Sequence, residues 1–88
     1  MKRSERKELV EDIEQRLDDE LDFDLDYEIC DYHDDGTSIV DVEIDTSDSE
    51  DWPEDWDEQV EDIISDVVRD WGGWYSWDGW TISVSIED

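Results

Sequence analysis

The chain of 88 residues carries 32 Asp and Glu against six Lys and Arg, a formal net charge of −26. That surplus excludes nucleic acid and anionic membrane as direct partners, so any macromolecular partner is expected to be basic. Length and an apolar content of 35% suffice for one core, hence a single acidic domain over residues 1–88.

The charge is unevenly spread. Lys2, Arg3, Arg6 and Lys7 make residues 1–7 basic, at +3, and the remainder carries −29 with Arg16 and Arg69 as its only cations. No run approaches the roughly 18 consecutive apolar residues of a membrane span, and no apolar segment follows the charged start MKRSERKELVEDIE. A soluble, cytoplasmic protein is expected, in the host cytoplasm if the chain is viral. The single cysteine, Cys30, can form neither an internal disulfide nor a metal cluster, so folding must rest on packing. No cofactor is expected.

High charge and low hydropathy are also the marks of a disordered acidic tail, but the periodicity argues for a fold. Residues 5–20 read as a helix with Ser4 as its cap and Leu9, Val10, Ile13, Leu17 and Leu21 along one stripe. Its basic first turn opposes the helix dipole and is expected to fray. From Leu21 to Cys30, Leu21, Phe23, Leu25, Tyr27 and Ile29 alternate with Asp22, Asp24, Asp26 and Glu28, the pattern of a strand with one wet face. Asp34-Asp35-Gly36 supplies a turn, and Ile39–Asp45 alternates again, Val40, Val42 and Ile44 against Asp41, Glu43 and Asp45.

Between Glu54 and Trp71 the apolar residues Trp56, Val60, Ile63, Ile64, Val67, Val68 and Trp71 recur at helical spacing. Asp51 or Ser49 can cap this second helix, Pro53 suits its first turn, and Gly72-Gly73 ends it. The last segment places Asp78-Gly79 between two alternating runs. A two-residue loop there would pair Trp77 with Trp80 and Tyr75 with Ile82, on one face with Val84 and Ile86. The expected fold is α+β in the order α-β-β-α-β-β, with a short third strand and two helices on one face of a small antiparallel sheet.

Acids at i and i+2 of a strand lie about 6.7 Å apart and repel by roughly half a kcal/mol in water. A dozen such pairs rival the roughly 5–15 kcal/mol by which small domains are stable, so the charge needs an explanation. A basic partner, a saline cytoplasm and metal ions are the three candidates. Carboxylates repeated along strands and helices at about the charge spacing of a nucleic acid imitate a phosphate backbone. In size, charge and alternating acidic pattern over nearly its whole length, the chain resembles the small DNA-mimic inhibitors of phages and mobile elements, such as anti-restriction and anti-CRISPR proteins. The resemblance implies stoichiometric inhibition: the mimic occupies the DNA channel of a restriction enzyme, nuclease or CRISPR surveillance complex. Small acidic immunity proteins that block toxin nucleases use the same physics.

The expected carriers are Asp22, Asp24, Asp26, Glu28, Asp41, Glu43 and Asp45 on the sheet, and Glu54, Asp55, Asp57, Glu58, Glu61, Asp62, Asp66 and Asp70 on the second helix. A solvated polar face is the plain alternative, but such faces mix both signs. Trp56, Trp71, Trp77 and Trp80 fall on inner faces and are expected in the core. Trp52 and Trp74 lie outside the apolar stripes and are expected as anchors within an electrostatic interface.

Adaptation to high salt is the main rival, since Asp exceeds Glu and lysine is nearly absent. The lack of alanine and the abundance of Trp and Ile count against it. A calcium loop with Gly36 at position six would put Asp31, His33 and Asp35 at one, three and five but Val42 at twelve, so two oxygen ligands are missing. Catalysis is not expected: Cys30 and His33 would point to opposite faces of a strand with no third group to orient them.

Overall fold

The computed structural model describes residues 3–47 and 49–87. Met1 and Lys2 of the basic start lie outside the described residues. The element order is α1 (Arg3–Glu20), β1 (Tyr27–Asp34), β2 (Thr37–Ile44), a 3-10 turn (Ser49–Asp51), α2 (Trp56–Trp71), β3 (Trp74–Asp78) and β4 (Thr81–Glu87). The four strands form one antiparallel sheet in the order β1-β2-β4-β3. Two α-β-β halves therefore meet through their second strands, with Val40 opposite Val84 at the centre. The expected α+β architecture holds.

Both helices pack on one face of this sheet. Leu9, Ile13 and Leu17 of α1 and Val60, Ile63, Ile64, Val67 and Val68 of α2 are buried against Val40, Val42 and Ile44 of β2 and Ile82, Val84 and Ile86 of β4. The alternation read from the sequence is thus the alternation of burial in β2 and β4. A Cα radius of gyration of 12.7 Å matches the roughly 12 Å of a compact chain of this length.

Turn chemistry sets the registers. Asp35 and Gly36 both have positive φ, 48° and 77°, as a type I′ loop requires, and they close the first hairpin at Asp34↔Thr37. In the second hairpin the loop is Gly79-Trp80, one residue later than expected, and Asp78 pairs with Thr81. Gly79, at φ 60°, takes the first loop position that a type II′ turn reserves for glycine. The shift sets Trp77 opposite buried Ile82, with its indole N–H donating to the Gly79 carbonyl at 2.7 Å. Trp80 leaves the ladder and is 59% exposed, so it is not the core residue that the expected register made it.

Four further expectations are corrected. Helix α1 begins at Arg3, so Ser4 lies inside it rather than at its cap. Helix α2 begins at Trp56 with Asp55 at its N-cap and no side-chain cap bond, while Ser49 and Asp51 form the preceding 3-10 turn. The first strand begins at Tyr27, not Leu21, because its partner runs out: beyond Ile44 one backbone bond, Asp45 N–H to the Asp26 carbonyl at 2.9 Å, ends the ladder. Leu21, Phe23 and Leu25 still pack against the core from an irregular segment. Trp52 is buried, not an exposed anchor, because the 3-10 turn folds it back against Phe23 and Trp56, with ring centroids 5.6 and 5.1 Å away.

Helix α2 ends on Gly72, whose φ of 74° is left-handed and whose N–H reaches the Val68 carbonyl at 2.8 Å. Gly73 answers a different demand. A Cβ there would lie 2.2 Å from the Ser85 carbonyl oxygen and 2.3 Å from Ile86 Cδ1, so α2 can turn directly into β3 only over a glycine.

Candidate partner-binding surface

Among the described side chains, Arg6, Arg16 and Arg69 pair with carboxylates, and Lys7 is exposed. Arg6 Nε donates to Asp31 at 2.9 Å and ties α1 to β1. Arg16 donates to Asp12 at 3.2 Å and to Asp70, and Trp71 Nε1 donates to the other oxygen of Asp12 at 3.2 Å, which joins α1 to α2. The Asp70 hydrogen bond, then those and the charges of Asp12 and Asp70 against some desolvation, raises the Arg16 pKa above its ordinary value. Arg69 lies 3.7 Å from Asp66 on α2. Arg6 and Arg16 thus join elements, Arg69 pairs within α2, and among the described residues the exposed surface is mostly carboxylate, with Lys7 and Arg69 as exposed cations.

That surface has three parts. On α2, Asp57, Glu58, Glu61 and Asp62 are exposed, with Glu54 and Asp55 just before the helix. Several are held locally: Asp55 accepts from Gln59 Nε2 at 3.0 Å, and Glu61 accepts from the Tyr75 hydroxyl at 3.1 Å. Asp66 is half-buried beside Arg69, and Asp70 is engaged by Arg16. The sequence reading passed over α1, where Glu8, Glu11, Glu14, Asp18, Asp19 and Glu20 are all exposed. Their signal was present as the polar positions between Leu9, Ile13 and Leu17.

The second part is one end of the molecule. Asp26, Glu28, Glu43 and Asp45 line an open hollow with Tyr27 and Ile44. Asp24 and Asp26 line a neighbouring one with Phe23, Asp51 and Trp52. Asp24 and Asp26 are therefore brought near the sheet acids without being on the sheet, while Asp22 is exposed in the segment between α1 and β1 and lines neither hollow. Glu28 and Glu43 stand directly opposite each other on adjacent strands, a like-charge pairing that costs stability. Asp45 accepts from both the Ser47 hydroxyl, at 2.6 Å, and the Ser47 N–H, at 3.0 Å. The hydroxyl bond first, then the backbone bond, lowers its pKa.

The third part is the face of the sheet turned away from the helices. Asp41 there is half-buried and accepts from Ser83 Oγ at 2.7 Å, so it is tied into the sheet rather than presented. Trp74 is 51% exposed on this face, as the sequence suggested. Cys30 shares the face, whereas His33 belongs to the inner row of β1.

Among the described residues no group of His, Cys, Asp and Glu could hold a metal ion, and no helix is long and apolar enough to cross a membrane. No protein-family model matches the chain, and no curated protein matches it in sequence.

Proposed function

We propose that the protein is a DNA mimic that inhibits a basic DNA-binding defence complex or nuclease, of anti-CRISPR or anti-restriction type, by occupying its DNA-binding channel. The supporting observation is the use of charge: Arg6 and Arg16 are spent on joining elements, and acids of α1, α2 and the Asp26–Asp45 end face outward. The size agrees. The longest dimension is 38 Å, and 38 Å of duplex would carry about 22 phosphate charges, against a net −26 here. A Lys- and Arg-lined channel would meet a similar charge on a body of similar length, and would release counterions as it does with DNA.

Acidity selected for salt tolerance is the competing explanation, and one experiment separates the two. The protein is immobilised beside a scrambled chain of equal composition, exposed to nuclease-treated host lysate, and eluted with double-stranded DNA. Mimicry requires a DNA-binding complex retained by the folded bait alone, released by DNA and lost steeply between about 50 and 500 mM salt. Retention of the same nucleoid and ribosomal proteins by both baits would sink the proposal.

A further inference from the structure

The open sheet face is built differently from the acidic shell around it. Across its middle, in strand order, run Tyr32, Ile39, Ser85 and Trp74, and beside them Cys30, Asp41, Ser83 and Ser76. The carboxylate in these two rows, Asp41, is half-buried and bonded by Ser83 and by the Tyr32 hydroxyl. Other carboxylates stand at the ends: Glu28, Glu43 and Asp78 at one, Asp34 and Glu87 at the other. Tyr32 and Trp74, 45% and 51% exposed, occupy opposite edge strands, about 14 Å apart across three strand spacings.

A band that holds one tied-down carboxylate, Asp41, and an exposed aromatic ring at each edge, between two carboxylate-bearing ends, offers rings to stack on and acids to pair with. Resting on the reading that the partner is basic, we propose that this face docks an arginine-rich protein segment. Guanidinium groups lie flat on the Tyr32 and Trp74 rings beside Asp34 and Glu87 in the next row, while arginines further along the segment pair with Glu28, Glu43 and Asp78 at the other end. Arginine fits better than lysine because its planar head stacks on an aromatic ring and still presents donors to carboxylates at its edge. A second copy of this chain is a poor occupant. The face covers on the order of 450 Å², well under the roughly 800 Å² per partner of a stable interface, and pairing would bring two charges of −26 together.

The test is an amide and indole NMR titration with a short poly-arginine peptide, repeated with poly-lysine and with the Tyr32→Ala/Trp74→Ala double variant. The expected result is that the largest shifts fall on the Trp74 indole and the amides of Ile39, Ser83 and Ser85. The double variant should bind poly-arginine about tenfold more weakly, the effect of two exposed cation–π contacts, and should no longer distinguish it from poly-lysine. Unchanged melting shows that the variant is folded. Shifts concentrated on α1 and α2, or undiminished binding by the variant, overturn this docking face and leave the basic-partner reading standing. No binding of poly-arginine even at about 20 mM salt, where screening is weak, overturns both. A dimer in sedimentation that Trp74→Ala dissolves would assign the face to self-association instead.

Discussion

The outward surface of the helix layer and the open face of the sheet are exposed to the same solvent but carry charge in different ways. On α1 and α2 most positions off the apolar stripe are acidic, and acids at i and i+3 or i+4, such as Glu58, Glu61 and Asp62, lie about 5–6 Å apart at Cβ. On the open face, directly opposite cross-strand neighbours stand about 4.5–5.5 Å apart at Cβ, slightly closer than neighbours on a helix. The chain places most acids of this face at the two ends and leaves Asp41, tied to Ser83, among Ser, Cys, Ile, Tyr and Trp in the two middle rows. Repulsion alone would explain Ser76, Ser83 and Ser85 in those rows, since serine is polar and neutral. It does not explain two large aromatic rings half in water, which is why the middle reads as a contact surface and the helices as the source of long-range attraction.

The sharpest way to break this comparison is to disturb what holds the two layers together. Gly73→Ala should destabilise the fold by on the order of 3 kcal/mol, since the added Cβ meets the backbone of β4. Ile13→Ala, fully buried in α1, should cost about the same. Trp74→Ala on the open face should cost less than about 0.5 kcal/mol. Urea denaturation of the three variants checks the order, and a large loss from Trp74→Ala would mean that its ring supports the fold rather than a partner.

The next effect belongs to the shell. Neighbouring acids repel by about 0.5 kcal/mol per pair in water, and screening shortens from about 30 Å at 0.01 M salt to about 10 Å at 0.1 M. Stability should therefore rise with sodium chloride by on the order of 2 kcal/mol over that range, while unfolding remains cooperative at the low end. A chain that folds only in molar salt would favour salt adaptation over mimicry. Smaller again is the seam between the helices: Arg16→Met keeps the aliphatic stem but loses Asp12 and Asp70, at about 1 kcal/mol because the site is partly exposed.

How much of this was legible before the structure depends on whether a feature is local. The stripes of α1 and α2, the wet and dry sides of β2 and β4, and the Asp35-Gly36 turn follow from spacing within one segment, and they were read correctly. The start of β1 was not, because an alternating run becomes a strand only where a partner strand lies beside it, and β2 stops at Ile44. Trp52 was misread for the same reason: its burial depends on a 3-10 turn that carries it onto Phe23 and Trp56. Of the site, the acids of α2 were legible as a helical face, whereas the gathering of Asp26 with Glu43 and Asp45 needed the fold. The row from Tyr32 to Trp74 could not be seen at all, since it exists only in the strand order β1-β2-β4-β3.

The smallest effect probes each surface through its own tyrosine. Tyr32 lies on the open face, and its pKa is raised by desolvation first and then by the charge and hydrogen bond of Asp41. Tyr75 lies on the covered side, and its pKa is raised by desolvation and then by Glu61 of α2. A group whose pKa is higher folded than unfolded contributes stability that is complete below the unfolded value, near 10.0, and that is lost as pH rises through the folded one. Stability should therefore decline above that pH, and phenolate absorbance should titrate later in the folded protein than in urea. Asp41→Asn should move only the Tyr32 component downward, and Glu61→Gln only that of Tyr75. If either substitution moves both, the two surfaces are electrostatically continuous across the sheet.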